Sequence, residues 1–378
     1  MVDIASVSRR GYIKDGKTWD DVSITRRDGE LLGTVPVQIS QGQCSHDEVL
    51  EAAGYHQYKW DFELQDSPTI PIDKLFYNGH NAPLQQVNDL NDFFPSGNSG
   101  ASRYRHTYEP GHHLDALLVN KKSDVLIVYL HGATFRKRTR LPRFERLATL
   151  SQEDVSSMYF SDPTMYRHER VMLGWYTGWK GVDVQQHIAD WAMIAAQEIG
   201  AKHIVVAGAS GGGFAALQVS GLIPDSICLT FNPSTKIHEY YTNGDPGIRG
   251  AQRDYIRYVH PEVVVGKIDS MDLDPDWTTN LGDEVSAIRR YGKPVSNWVL
   301  FVNNINDWHI EQHFNPFMES ARQGGNTNRI QVLEYEMGHG HFPPKNPEFM
   351  GALAAAIEWS RSSNKAQWIA PTQWVREM

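Results

Sequence analysis

Ser210 stands in the run Gly208-Ala209-Ser210-Gly211-Gly212, directly after the apolar segment His203-Ile204-Val205-Val206-Ala207. The pattern predicts a strand that enters a tight turn and leaves it as a helix over residues 214–219. A serine at such a turn is held in a strained backbone conformation, and glycines beside it let strand and helix pass closely. The helix N-terminus behind it offers free N–H groups to a developing negative charge. These are the requirements of a nucleophile.

A serine hydroxyl is weakly nucleophilic near neutral pH. It needs a base within hydrogen-bond reach, and the base needs an acid that orients it. Asp307 is the first carboxylate after the apolar run Trp298-Val299-Leu300-Phe301-Val302, and Glu311 is an alternative acid four residues on. The base is sought after the last apolar run, Ile330-Gln331-Val332-Leu333-Glu334-Tyr335, in Met337-Gly338-His339-Gly340-His341. His339 is favoured because the glycines on both sides let the loop fold back toward the serine, and His341 is the competing base. An oxyanion needs two backbone donors. Gly211, next to the serine, supplies one. The second is expected from Ala133 in His131-Gly132-Ala133-Thr134, the loop that follows Val125-Leu126-Ile127-Val128-Tyr129-Leu130. His131 and Asp162, each at the carboxyl end of a strand, are expected to contact substrate, although Asp162 serves equally well as the cap of the turn after it.

The elements that must position these residues are readable from residue 119 onward, where strands and helices alternate. Val125–Leu130 is apolar throughout, as in a strand buried on both faces of a parallel sheet. Val184, Ile188, Trp191, Ala195 and Ile199 recur at helical spacing, with Asp183 as cap and Gly200 as stop. A last helix is expected from Asn346-Pro347-Glu348. Alternation of this kind predicts an α/β architecture with a mostly parallel sheet flanked by helices. Residues 1–118 read as a β-rich N-terminal extension or small domain, with strand-like pieces such as residues 58–64. Residues 119–378 read as the main domain. The long stretch at about 235–296 reads as a lid insertion or as helices packed away from the site.

Other classes are disfavoured by composition. The 378-residue chain carries a net charge of −9, which argues against a nucleic-acid partner. The short basic cluster Arg136-Lys137-Arg138-Thr139-Arg140 reads as a solvated loop or as a neighbour of an anionic group. No apolar run reaches the length of a membrane span. The N-terminal residues carry no apolar leader and the chain has only two cysteines, which points to a cytoplasmic location. Residues 208–213 lack both the dinucleotide-binding spacing and a phosphate-loop lysine, so no cofactor is expected. His309, Glu311 and His313 would share a face on a strand, yet the helical metal-binding motif is absent and no metal is expected.

Leu130-His131-Gly132, Gly208-Ala209-Ser210-Gly211-Gly212, Asp307 and Gly338-His339-Gly340 together resemble the α/β-hydrolase superfamily over residues 119–362. That resemblance implies its fold and a Ser-Asp-His mechanism needing no cofactor. The expected reaction is cleavage of a small-molecule or glycan carboxylic ester through an acyl-enzyme. Acyl transfer to a sugar or alcohol, or a non-catalytic binding scaffold, are the alternatives.

Overall fold

The computed structural model describes residues 4–14, 17–26, 31–39, 67–75, 78–135, 139, 141–240, 250–264 and 276–371, the first three stretches as backbone. Those three are strands β1 (Ile4–Lys14), β2 (Lys17–Arg26) and β3 (Leu31–Ile39), which form an antiparallel sheet of their own.

The remaining strands build one nine-stranded sheet. They are β4 (Leu84–Val87), β5 (Gly100–Glu109), β6 (His112–Asn120), β7 (Val125–Leu130), β8 (Ser156–Ser161), β9 (His203–Ala209), β10 (Ile227–Phe231), β11 (Trp298–Asn304) and β12 (Ile330–Tyr335). Their spatial order is β12-β11-β10-β9-β7-β8-β6-β5-β4. From β12 to β8 all neighbours run parallel, while β6 is antiparallel to both β8 and β5. The chain thus leaves β7 toward β8 on one side and returns to place β9 on the other. The crevice at the carboxyl ends of β7 and β9 is therefore a topological switch point, where open α/β sheets bind ligands.

The described helices are α1 (Leu147–Leu150), α2 (Val184–Ile199), α3 (Gly211–Ser220), α4 (Ala251–Val259), α5 (Ala287–Tyr291), α6 (Asn315–Gln323) and α7 (Asn346–Arg361). Side chains alternate across β7. Leu126, Val128 and Leu130 join the core built with α2 and α3, whereas Val125, Ile127 and Tyr129 join the core built with α7. This is why the strand reads as unbroken apolar sequence. Asp183 caps α2 by accepting from the Gln186 N–H at 3.0 Å, and Gly200 ends it with φ 78°. The Gln186 side chain does not close a capping box. It turns to Asp190 instead, at 2.8 Å. In α7 the cap is Lys345, one residue before the expected Asn346.

One expectation needs correction. The main domain does not begin at residue 119. Strands β4 to β6, inside the stretch read as a separate extension, are hydrogen-bonded members of the large sheet. β4 runs parallel to β5, while β5 and β6 form an antiparallel hairpin, which carries no helix between its strands and so breaks the alternation that marks the rest. The strand expected at residues 58–64 lies outside the described residues. The stretch from 235 to 296 divides in two. Tyr240, Gly250 and Ala251 border the crevice, while Arg290 and Tyr291 pack on α3 through Gln218 and the Leu217 carbonyl.

Candidate active site

Ser210 sits between β9 and α3 with φ 54° and ψ −121°, a conformation L residues rarely adopt. The turn is tight because flanking residues have no side chain. A Cβ on Gly208 would collide with the Gly212 carbonyl, and one on Gly212 would collide with the carbonyls of Leu130 and His131. The Ser210 N–H donates to the Phe231 carbonyl at 2.9 Å, which ties the elbow to the end of β10.

The Ser210 hydroxyl donates to Nε2 of His341 at 2.8 Å, and Nδ1–H of His341 donates to Oδ2 of Asp307 at 2.8 Å. A carboxylate can only accept, so the ring proton belongs on Nδ1 and Nε2 is free to take the serine proton. Asp307 is 5 % exposed, and its Oδ1 accepts from the His309 N–H at 2.9 Å. Asp307 thus stands where the sequence placed it, and Glu311 takes no part in this chain of bonds.

The histidine is not the expected one. His339 lies exposed at the apex of the β12 loop, and His341 comes back over Asp307. The glycines do not aim His339 at the serine. They let the loop turn tightly against β11. Asn304 donates to the carbonyls of Gly338 and Gly340, and the Gly340 N–H donates to the Asn306 carbonyl. Gly340 has φ 128°, which suits glycine alone.

Four successive amides in the loop after β7 show how a ligand could be held. The His131 N–H donates to the Tyr176 hydroxyl, that of Gly132 to Oε2 of Glu145, and that of Thr134 to the Met172 carbonyl. The Ala133 N–H has no protein acceptor among the described residues. The Gly211 N–H, in the first turn of α3, is likewise left over. Arg143 steadies the loop by donating to the Ala133 carbonyl at 3.0 Å and to Oγ1 of Thr134 at 2.9 Å.

His131 and Asp162 do not touch the crevice, contrary to expectation. His131 is 1 % exposed. Its Nε2 accepts from the Asp162 N–H at 3.0 Å, so the proton sits on Nδ1 and donates to the Gly132 carbonyl at 2.7 Å. Burial, reinforced by the Arg143 cation, holds this imidazole down at about 3. Asp162 is fully buried, and its oxygens accept from the amides of Thr164, Gly174 and Tyr176. Burial pushes its carboxyl up to about 6 against the pull of those amides. A strand-end polar residue reads as a ligand contact in sequence. Here both residues instead fix the backbone behind the loop that follows β7. Trp175 and Tyr176, with φ 51° and 56°, are buried in that same support.

Sequence reasoning missed several residues. Asn232, with φ 40°, follows β10. Its amide donates to the hydroxyl of Tyr335 and to the Phe342 carbonyl, and its Oδ1 accepts from the Asn304 N–H. His309 stacks on His341 with ring centroids 4.0 Å apart and donates through Nδ1 to the Asn232 carbonyl. Burial and the neighbouring imidazoles of His313 and His341 hold His309 well below its ordinary value. No short motif signals these residues, because their partners lie on other strands. The segment after His309 is a π-helical turn (Ile310–Phe314), not a strand, so His309 and His313 meet edge to face at 4.5 Å. Among the described residues one trio, Asp307, His309 and His341, brings ligand-type atoms within 4.8 Å of one another. Asp307 and His341 already bond to each other there.

The crevice at this point is a cavity of about 500 Å³. Ser210, His341, Ala133, Met172, Tyr240 and Phe342 are among its walls, and Phe135 and Phe342 stand exposed at its rim. Among the described residues no helix is long and apolar enough to cross a membrane.

No protein-family profile matches the sequence, and no curated protein sequence matches it either. Solved structures do. A puromycin hydrolase superposes with TM-score 0.51 at 14% identity, covering 94% of this chain and 47% of its own, so this chain spans about half its length. Lipase A of Candida antarctica matches with TM-score 0.47 at 11% identity over 71% of this chain and 79% of its own. A bacterial brefeldin A esterase matches with TM-score 0.44 at 12% identity, over 70% and 76%. The first of these likenesses, the strand order and the strained turn between β9 and α3 agree: this chain has the α/β-hydrolase fold.

Proposed function

We propose that this chain is a serine hydrolase that cleaves a carboxylic ester through an acyl-enzyme. The observation that carries the reading is the unbroken hydrogen-bond chain from Ser210 through His341 to Asp307. Ser210 Oγ attacks the ester carbonyl carbon as its proton passes to Nε2 of His341. The carbonyl oxygen takes the negative charge and accepts from the Ala133 and Gly211 N–H groups. The Asp307 carboxylate faces the imidazolium that forms. The C–O bond to the alcohol then breaks, and the alcohol leaves with the proton from His341. A water deprotonated by His341 attacks the acyl carbon, the acid departs and Ser210 recovers its proton. The exposed rim at Phe135 and Phe342 leaves the acyl group open to water, which favours hydrolysis over transfer to another alcohol.

The test is labelling with a fluorophosphonate, compared between the native chain and Ser210→Ala. Labelling that disappears in the variant supports the reading. A folded native chain that takes no label refutes it.

A further inference from the structure

The cavity contains one carboxylate that the reaction does not use. Glu145 lies in its wall, and Oε2 accepts from the Gly132 N–H at 3.2 Å and faces Nη2 of Arg143 at 3.3 Å. A carboxylate offers about four acceptor positions on two oxygens. Oε1 has no partner among the described residues, and the side chain is 31% exposed. Nη1 of Arg143 is committed to the Ala133 carbonyl and to Thr134. Oε1 of Glu145 is therefore an unsatisfied acceptor in the cavity wall, beside an Arg143 whose Nε–H and second Nη2 N–H are also uncommitted among the described residues.

Its position matters as much as its charge. Gly132 and Ala133 are adjacent, so Glu145 sits one residue along the loop from the amide that would hold the oxyanion. A bare carboxylate there opposes a developing negative charge. Arg143 offsets part of this, and a substrate cation would offset the rest. The neighbouring walls suit such a cation as well, since Phe135, Tyr240 and Phe342 bring aromatic rings to the same cavity.

We infer that Glu145 selects substrates carrying a protonated amine close to the scissile carbonyl. This rests on the hydrolase reading above and gives it a substrate class: amino esters or alkylammonium esters. The ammonium donates to Oε1 of Glu145 while the ester carbonyl lies at the Ala133 and Gly211 amides.

The experiment measures how benzylammonium chloride and benzyl alcohol slow fluorophosphonate labelling of Ser210, in the native chain and in Glu145→Gln. The glutamine keeps an oxygen for the Gly132 N–H, removes the charge and puts an NH2 donor where Oε1 accepts. In the native chain benzylammonium is expected to protect with a constant about tenfold tighter than benzyl alcohol, the low end for a charge-assisted hydrogen bond. In the variant the two are expected to protect within about twofold of each other. Equal protection in the native chain, or a tenfold preference that survives the substitution, overturns the role of Glu145 while leaving Ser210 as the nucleophile. Absence of label on the native chain removes the hydrolase reading, and this assignment falls with it.

Discussion

Acid should weaken this protein well above the pH at which its carboxylates titrate, because buried histidines, His131, His309 and His313 among them, resist protonation in the folded state. His131 and His313 are 1 % and 0 % exposed. Each is held at about 3 against an ordinary 6.5. For His131 the causes are burial and then Arg143; for His313 they are burial and then the charges of Lys236, His341 and His238. Below pH 6.5 the unfolded chain protonates both and the folded chain neither, so stability falls as pH falls. At pH 5 each is 1.5 units below the unfolded value, about 2 kcal/mol at 1.36 kcal/mol per unit, or about 4 kcal/mol together. Asp162 works in the opposite direction. Its carboxyl is raised from 3.8 to about 6, so the folded state takes a proton first. That returns about 1 kcal/mol by pH 5. These three groups together cost about 3 kcal/mol between pH 7.5 and pH 5, a large share of a typical stability, and the depressed His309 adds to the loss.

Urea denaturation at the two pH values reads this directly as a lower midpoint at unchanged slope. Most carboxylates have ordinary values near 4 and contribute little above pH 5. His313→Asn isolates the source, because its amide oxygen can still accept from the Thr235 N–H that Nδ1 accepts at 3.2 Å. The variant should lose about 2 kcal/mol of the pH-dependent difference. A midpoint that stays level or rises on going to pH 5 would refute the reasoning, as would a variant with the native pH dependence.

His341→Ala should lower ester turnover and fluorophosphonate labelling by about 10⁴-fold with the fold intact by circular dichroism, whereas His339→Ala should stay within about threefold. The reverse ranking would move the base to His339. Gly212→Ala places a methyl group against the Leu130 and His131 carbonyls, backbone that has nowhere to move. It should cost more than about 3 kcal/mol in urea denaturation, and a native midpoint would show the elbow to be looser than described. Asn232→Ala removes the ties to Tyr335, Phe342 and Asn304. It should lower kcat by roughly 10- to 100-fold with a smaller change in KM, since its hydrogen bonds run to the loop that carries His341 while its side chain only borders the cavity. A KM effect of the same size would place Asn232 in substrate binding instead.

How much of this was legible depends on where the partners lie. Strand β7, and β9 after its first residue, could be read because burial on both sheet faces favours an unbroken apolar run. Ser210 could be read because its turn requires glycines next to it in sequence. Asp307 could be read because parallel strands deliver their loops to one edge of the sheet. The choice between His339 and His341 is different in kind. Gly338-His339-Gly340-His341 offers either ring, and Asn304 and Asn306, more than thirty residues earlier, decide it by binding the loop backbone. Asp162 was misjudged for the same reason, since its three amide donors lie up to fourteen residues downstream in a fold-dependent turn. Strands β5 and β6 escape the sequence pattern because an antiparallel hairpin lacks the helices that advertise a parallel sheet, and β4 is only four residues long.

The unpredicted contacts form a single path across four neighbouring strands. The Ser210 N–H reaches the end of β10 at Phe231, and the Asn232 N–H reaches β11 at the Val302 carbonyl. Asn232 Oδ1 holds Asn304, Asn304 holds the β12 loop, and the Ile305 N–H donates to the Tyr335 carbonyl. Ser210, Asp307 and His341 therefore sit at strand ends whose spacing is set by sheet register, with asparagine side chains joining the end of β10 to β11 and the end of β11 to the β12 loop. A short polar side chain suits this task. It tolerates the positive φ at residue 232, donates and accepts at once, and carries no charge to disturb the imidazolium that forms on His341. Replacing Asn304 with Asp tests the donating role: the carboxylate can still accept from the N–H groups of Asn306 and Met337 but can no longer donate to Gly338 and Gly340. The β12 loop should then loosen, and labelling of Ser210 should slow by at least about tenfold even though every residue of the reacting trio is still present.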